Sequence, residues 1–456
     1  LEFCGTSIAK YECVGSLLSL QSQHHALALW QNNFVLFGRR RSIAAYYCSS
    51  AAILSLGRYT AATTSPLSSL ATSHQHRKMT NLNFQQIIPT PHSTTTTDAN
   101  TASSSSTPLP RSSHGLSIIH NGSLLVLYGG EHIARTPIHD PSQVLWLAKR
   151  MNGTESWQWV VPTINTSTTT NAAIMPPSRV AHAQAAVGNT IYIFGGRNGI
   201  EMGENAMNDM WMLTVHEDET TTATTAKWTQ INASSDTTTS VLPEARSFHK
   251  MIAIGSNLYM FGGCGASGRL NDLWKFDTLT HKWTNLGVSH VLRGRGGPNI
   301  LSLAHDKKIG IVGGFAGEET NDGHVYSISN DGGSWEEEGM KGLEEMRPRS
   351  VCCFASLPMV NKCVIFGGEV DPSQKGHEGA GGFERDVVIL DGTSGSVLEN
   401  IKPSGGNEDE EEEWPGNRGW ADATVHEDTM YIFGGLAGDD ASPIRLNDLW
   451  QCKVSS

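Results

Sequence analysis

Six arginines, Arg111, Arg179, Arg246, Arg295, Arg349 and Arg418, each stand 16 or 18 residues ahead of a Gly-Gly pair. A guanidinium group is planar, permanently charged and rich in donors, which suits it to sulfate, phosphate or carboxylate. If the spacing marks equivalent places in a repeated fold, the six groups gather around one mouth of a central channel and form an anion-binding face. The structural alternative is that each arginine bonds backbone carbonyls of the adjacent repeat, an option strongest for Arg179. The difference of two residues is what a longer hairpin absorbs without turning side chains to the opposite face. His114, His182 and His249 follow three residues after their arginines. They read as inner-strand histidines with backbone partners, and His249, beside Arg246, is also placed to reach a ligand.

The elements that must carry these residues are short strands. Thr190-Ile191-Tyr192-Ile193-Phe194, Leu258-Tyr259-Met260-Phe261 and Met430-Tyr431-Ile432-Phe433 are β-branched and aromatic, and each stops at glycine. The pairs Gly129-Gly130, Gly195-Gly196, Gly262-Gly263, Gly313-Gly314, Gly367-Gly368 and Gly434-Gly435 recur at intervals of roughly fifty to seventy residues. Glycine admits positive φ and lets neighbouring repeats approach closely. Aromatic-rich third strands follow at Asp209-Met210-Trp211, Asp272-Leu273-Trp274 and Asp448-Leu449-Trp450, and Trp159, Trp228, Trp283 and Trp335 are expected on outer strands, filling the wedges between repeats.

This pattern resembles Kelch repeats, one four-stranded blade each. The resemblance implies an all-β, six-bladed Kelch β-propeller. The sixth repeat ends soon after Trp450, while Asn83 to Ile88 reads as a strand with no partner ahead of the first repeat, so the ring is expected to close through this N-terminal strand. The chain divides into a non-propeller leader over 1–78, a linker with the ring-closing strand over 79–107, and the six-repeat propeller over 108–456. Residues 1–78 lack methionine and are rich in Ser, Ala and Arg. They read as an upstream or artefactual stretch, or as a targeting peptide.

The net charge of -12, with no Lys/Arg stripe, argues against a nucleic-acid partner, and no apolar run approaches a membrane span. The acidic run Glu408 to Glu413 and the tracts Thr163–Asn171, Thr220–Ala226 and Ser234–Ser240 read as solvated loop insertions. Eight cysteines without a C-x-x-C pair suit free thiols in a reducing compartment, hence the cytoplasm, with the nucleus or an organelle left open.

Arg111-Ser112-Ser113-His114-Gly115, Arg246-Ser247-Phe248-His249, Arg295-Gly296-Gly297, Arg349-Ser350-Val351, Arg418-Gly419-Trp420 and the loop Gly367 to His377 together resemble the plant specifier proteins. That family comprises epithiospecifier, nitrile-specifier and thiocyanate-forming proteins. The likeness spans most of residues 108–453. It implies binding of Fe(II) and redirection of the unstable aglycone released from glucosinolates by a thioglucosidase. The family's iron motif is E-x-x-x-D-x-x-x-H. Glu369 and His377 match its ends, but Ser373 stands where the aspartate belongs. A hydroxyl is a poor replacement for a carboxylate on Fe(II). Asp371 is two residues away, on a loop stiffened by Pro372.

The expected substrate site comprises Arg111, Arg246, Arg295, Arg349, Arg418, Trp420 and His249, with Glu369, Ser373, His377 and Asp371 as the metal set. Its ligand is a small anion such as a sulfated compound, and any activity is of the metal-assisted, lyase-like specifier type. The alternative is a non-catalytic scaffold that docks another protein on the same face. Glu131, His139 and Asp140 read as surface polar residues. Within the cluster Glu318, Asp322 and His324, Asp322 reads as the turn-bonding aspartate of its repeat.

Overall fold

The computed structural model describes residues 80–92, 106–151, 153–166, 174–200, 204–218, 223–231, 241–330, 332–403 and 414–455. The leader 1–78 and the acidic run 408–413 lie outside them. Six sheets are arranged as the blades of a propeller. Blade I runs outward from Gly115–Ile119 through Leu124–Tyr128 and Leu145–Arg150 to Trp157–Val160. Blade II begins at Ala183–Val187, blade III at Lys250–Ile254, blade IV at Asn299–Leu303, blade V at Cys353–Leu357 and blade VI at Asp422–His426. Each of these innermost strands packs on the next, and blade VI packs back on blade I.

Closure follows the expected route. Asn81–Ile87 pairs antiparallel along Pro443–Ser455, from Asn81 opposite Ser455 to Ile87 opposite Leu449, and becomes the outermost strand of blade VI. Phe84 anchors it, 5.7 Å from the Phe366 ring and 4.7 Å from Trp414. Two of the tracts expected to be loops contain strand. Thr224–Ile231 is the fourth strand of blade II, and Thr163–Ile164 adds a fifth alongside Thr225 and Ala226. Threonine is β-branched and fits a pleated edge, so a threonine-rich tract with a neighbouring edge to pair with becomes sheet.

The core lies between blades. Six clusters of buried side chains fill the six wedges, such as Tyr128, Leu147, Ile193 and Trp228 between blades I and II, or Phe261, Ile311 and Trp335 between III and IV. Trp159, Trp228, Trp283 and Trp335 sit on the fourth strands as expected. An isolated blade exposes both faces, and only the closed ring buries them. The five cysteines among the described residues, Cys264, Cys352, Cys353, Cys363 and Cys452, are buried free thiols.

The paired glycines are set by contact as well as by conformation. The second glycine of each pair donates its N–H to the carbonyl of the next blade's arginine, for example Gly196 to Arg246 at 2.9 Å and Gly435 to Arg111 at 2.9 Å. Gly195 has φ +63°, and a Cβ there would lie 2.8 Å from the Arg246 carbonyl. A side chain would force the blades apart.

Candidate functional site

The structure corrects the expected arginine ring. All six guanidinium groups are buried inside their blades rather than open to the channel mouth. Each donates to the carbonyl of the first glycine of its own pair: Arg111 to Gly129 at 3.0 Å, Arg179 to Gly195 at 2.8 Å, Arg246 to Gly262 at 3.0 Å, Arg295 to Gly313 at 3.0 Å, Arg349 to Gly367 at 3.1 Å and Arg418 to Gly434 at 3.1 Å. Five of them also grip an aspartate in, or directly before, their own third strand. The pairs are Arg179 with Asp209, Arg246 with Asp272, Arg295 with Asp322, Arg349 with Asp386 and Arg418 with Asp448. Asp322 is therefore an arginine partner rather than a turn cap. Burial alone would raise these carboxyls, but the facing guanidinium overcomes it and holds Asp209, Asp272, Asp322 and Asp448 below the usual carboxylate range. Arg111 has carbonyls only, with Gln143 O at 2.8 Å, and burial pushes its pKa down to about 9. The structural alternative thus describes these arginines, with the carbonyls coming from their own blade.

Two residues beyond each arginine the backbone turns into the left-handed region, at Ser113, Ala181, Phe248, Gly297, Val351 and Trp420. Their amides form a closed circle. Ser113 N–H donates to Trp420 O at 2.8 Å, Ala181 to Ser113 at 2.9 Å, Phe248 to Ala181 at 2.9 Å, Gly297 to Phe248 at 2.8 Å, Val351 to Gly297 at 3.0 Å and Trp420 to Val351 at 3.0 Å. This circle narrows the channel. Phe248 and Trp420 reach over it from opposite blades and meet edge to face at 5.3 Å.

Above the circle lies a cavity of about 240 Å³ whose lining includes Arg197, Phe248, Cys264, Arg269, Phe315, Ser350, Glu369, Ser373 and Trp420. Trp420 is the member of the expected substrate set that faces it. Its cations were missed from the sequence. Arg197 directly follows the Gly-Gly pair of blade II and lies 5.2 Å from the Phe248 ring centre, while Arg269 lies 4.6 Å from that of Phe315. The Nε of Arg269 is buried and makes no hydrogen bond. The available signal was position: the residue after each Gly-Gly pair bridges back to the residue after the blade's arginine, as Arg197 does to Val180 and Glu369 to Ser350.

Glu369 is buried where the sequence placed it, on the arginine-entrance face. Burial pushes its carboxyl up to about 7, against an opposing hydrogen bond from the Ser373 backbone. Glu319, also missed, accepts from Ser350 Oγ at 3.2 Å, and burial with the nearby Glu369 charge raises it to about 8. The rest of the expected metal set does not converge on Glu369. Asp371 turns outward to Arg347, 2.7 Å away. Ser373 Oγ is hydrogen-bonded to Asp440 of the last blade. The side chain of His377 lies outside the described residues. Among the described residues no three His, Cys, Asp or Glu side chains form a group able to hold a metal. Asp371 and Ser373 as described thus do not converge with Glu369 on one metal position.

His249 is buried, with Nε2 3.2 Å from Phe194 O and its ring edge-on to Phe194 at 5.6 Å. Burial, with the Arg246 charge, drives its pKa well down, so it is a neutral core histidine rather than a ligand contact. His114 and His182 pack in the same way on Phe433 and Tyr128. Glu131 is not a surface residue: it is buried, pairs with Arg445 at 3.2 Å and accepts from Arg135 N–H at 2.7 Å. His139 and Asp140 are exposed, and Asp140 caps the short helix Pro141–Val144.

Comparison with known proteins agrees with this architecture. The KLHDC2/KLHL20/DRC7 Kelch-repeats domain matches residues 153–368. N-(sulfonatooxy)prop-2-enimidothioate sulfolyase of Thlaspi arvense is 28% identical over 348 residues, covering 70% of this chain and 85% of that protein. Leucine-zipper-like transcriptional regulator 1 of Pongo abelii is 25% identical over 62% of this chain, which spans only 30% of that protein. The solved structure of YjhT superposes with a TM-score of 0.50 at 14% identity, over 77% of this chain and 99% of that one, and so speaks to the fold alone. With six closed blades, their repeat motifs and these matches together, the chain is a Kelch-repeat β-propeller that resembles the plant specifier proteins.

Proposed function

We propose that the cavity above the amide circle is a small-molecule site for a sulfated anion, and that the protein directs the breakdown of an N-sulfonatooxy imidothioate of the glucosinolate-aglycone type toward nitrile. The observation that carries this reading is the convergence of Arg197 and Arg269 on one cavity, each stacked on a phenylalanine, with a buried Arg269 donor unused. Nitrile formation breaks the N–O bond, whose oxygen leaves with the electron pair as sulfate, and the C–S bond, whose pair becomes the third carbon–nitrogen bond while the sulfur departs as zero-valent sulfur. Two guanidinium groups fixed in a partly dry pocket stabilise the sulfate charge as it develops. Phe248, Phe315 and Trp420 supply apolar walls for the organic part. The similarity to the Thlaspi arvense sulfolyase supports the same ligand class.

The test mixes a thioglucosidase and a glucosinolate with the protein and measures nitrile against isothiocyanate. The purified chain should raise the nitrile fraction, and Arg269→Ala should abolish that shift while the thermal transition is retained. An unchanged product ratio with wild-type protein sinks the reading.

A second reading, docking of another protein, draws on Ile133, Ile200 and Ile444. These exposed apolar side chains belong to the neighbouring blades I, II and VI. Their replacement by serine would disrupt a protein complex and leave small-molecule turnover intact.

A further inference from the structure

The channel beneath the amide circle holds a second cavity, about 410 Å³, that the loop-face site does not use. It extends from Lys250 and Asp422 to the turns bearing His305, Asn361 and Glu427 on the opposite face of the propeller. Lys250 of blade III reaches across the ring to Asp422 of blade VI, Nζ to Oδ1 at 3.3 Å. The other carboxylate oxygen accepts the Leu116 N–H at 2.8 Å. An ammonium has three donors, and this contact is long. Gln184 faces the same cavity and is nine-tenths buried. Its Nε2 donates to Val126 O at 3.1 Å, and its Oε1 is buried beside the His182 ring without a hydrogen bond of good geometry. A buried acceptor in that state needs a donor. The rest of the wall mixes aliphatic side chains, Ile118, Ala185, Ile252, Ile300 and Val425, with polar ones such as Ser302, Ser356 and His426.

We propose that this channel cavity is a binding site for a small zwitterion of the α-amino acid class with an aliphatic side chain. The ligand carboxylate takes the spare donors of Lys250. Its ammonium group donates to Asp422 and to the Gln184 oxygen, and its side chain lies against the aliphatic part of the wall. An α-amino acid carries its two charges about as close together as the protein's own pair, so it inserts into the pair and leaves neither partner unmatched. The site is independent of the loop-face cavity, because the circle Ser113-Ala181-Phe248-Gly297-Val351-Trp420 lies between them.

Titration calorimetry and thermal shift on the full chain with L-leucine test the proposal. Leucine should bind saturably and raise the melting temperature. Leucinamide, which lacks the carboxylate, and 4-methylpentanoate, which lacks the ammonium, should bind at least about tenfold more weakly. Gln184→Leu should weaken leucine by a similar factor, and Arg269→Ala should leave it unchanged. Lys250→Met strands a buried carboxylate, so it is paired with Asp422→Leu; the double variant should fold and lose leucine binding. Absence of saturable binding to the wild-type chain, equal binding of all three probes, or undiminished binding in the double variant overturns the proposal.

Discussion

Phe248 and Trp420 touch edge to face at 5.3 Å across the channel, and two residues further along the same pair of strands Lys250 meets Asp422 at 3.3 Å. Blades III and VI stand opposite each other, so one strand pair supplies both an apolar and an ionic bridge over the axis. The upper bridge floors the loop-face cavity and the lower one heads the channel cavity.

The buried arginines make stability depend on their acids. Removing one partner of a buried pair leaves an uncompensated charge, which costs about 3–5 kcal/mol. Asp272→Ala should approach that figure, because Arg246 loses two contacts of 2.7 Å and the Trp274 indole, bonded to Asp272 at 2.6 Å, loses its acceptor. Urea unfolding monitored by tryptophan fluorescence measures it. A loss below about 1 kcal/mol, the range of surface pairs, would contradict the assigned role.

Glu319 and Glu369 set the stability on the alkaline side. Their folded pKa values, about 8 and about 7, lie above the ordinary 4.5. The folded state therefore holds more protons than the unfolded chain as pH rises from there, and stability falls until both are ionised. The buried histidines act oppositely. His182 is depressed to about 3, so its contribution is complete above the unfolded value of 6.5 and is lost on acidification. Between pH 6.5 and 8 the histidine contribution is nearly complete and the two glutamates pull stability down. Wild-type stability should decline across that window, and Glu319→Gln should flatten the decline. Parallel slopes for the two proteins would refute the assignment.

Ser373→Asp would restore the aspartate of the iron motif, but it would place that carboxylate against Asp440, the present partner of Ser373. Like charges so close repel unless a cation lies between them. The variant should melt lower than wild type without metal and regain stability with anaerobic Fe(II), to which the wild-type chain responds weakly or not at all. Metal analysis after desalting gives a second readout. Strong iron retention by the wild-type protein would show that Ser373 and its neighbours already make a competent site.

Residues 79–456 should fold alone, since among the described residues the contacts that close the ring begin at Thr80. A chain starting at residue 90 should not match it. Losing Asn81–Ile87 uncovers the whole edge of Pro443–Ser455 and removes Phe84 from its ring contacts. Light scattering and melting curves of the two chains compare them. An equally soluble, equally stable shorter chain would remove the closing strand from the account.

The architecture was legible in the sequence because it is periodic. The Gly-Gly pairs, the arginines 16 or 18 residues before them and the outer-strand tryptophans each repeat, and a repeat reports what every blade must do. The unpaired strand before the first repeat announced closure for the same reason. Glu369 could be placed on the entrance face from topology alone. What the sequence could not tell was where side chains point. Arg246 looks the same on paper whether it faces a ligand or Asp272, and only the packed blade decides, because a carboxylate 26 residues later fills the guanidinium's donors. Arg197 and Arg269 do not recur as arginines from blade to blade, so they emerged only when ring closure brought five blades around one cavity. Local pattern determines the blade. The site belongs to the circle, where residues hundreds of positions apart meet, and long-range contact of that kind leaves no mark on any single stretch of chain.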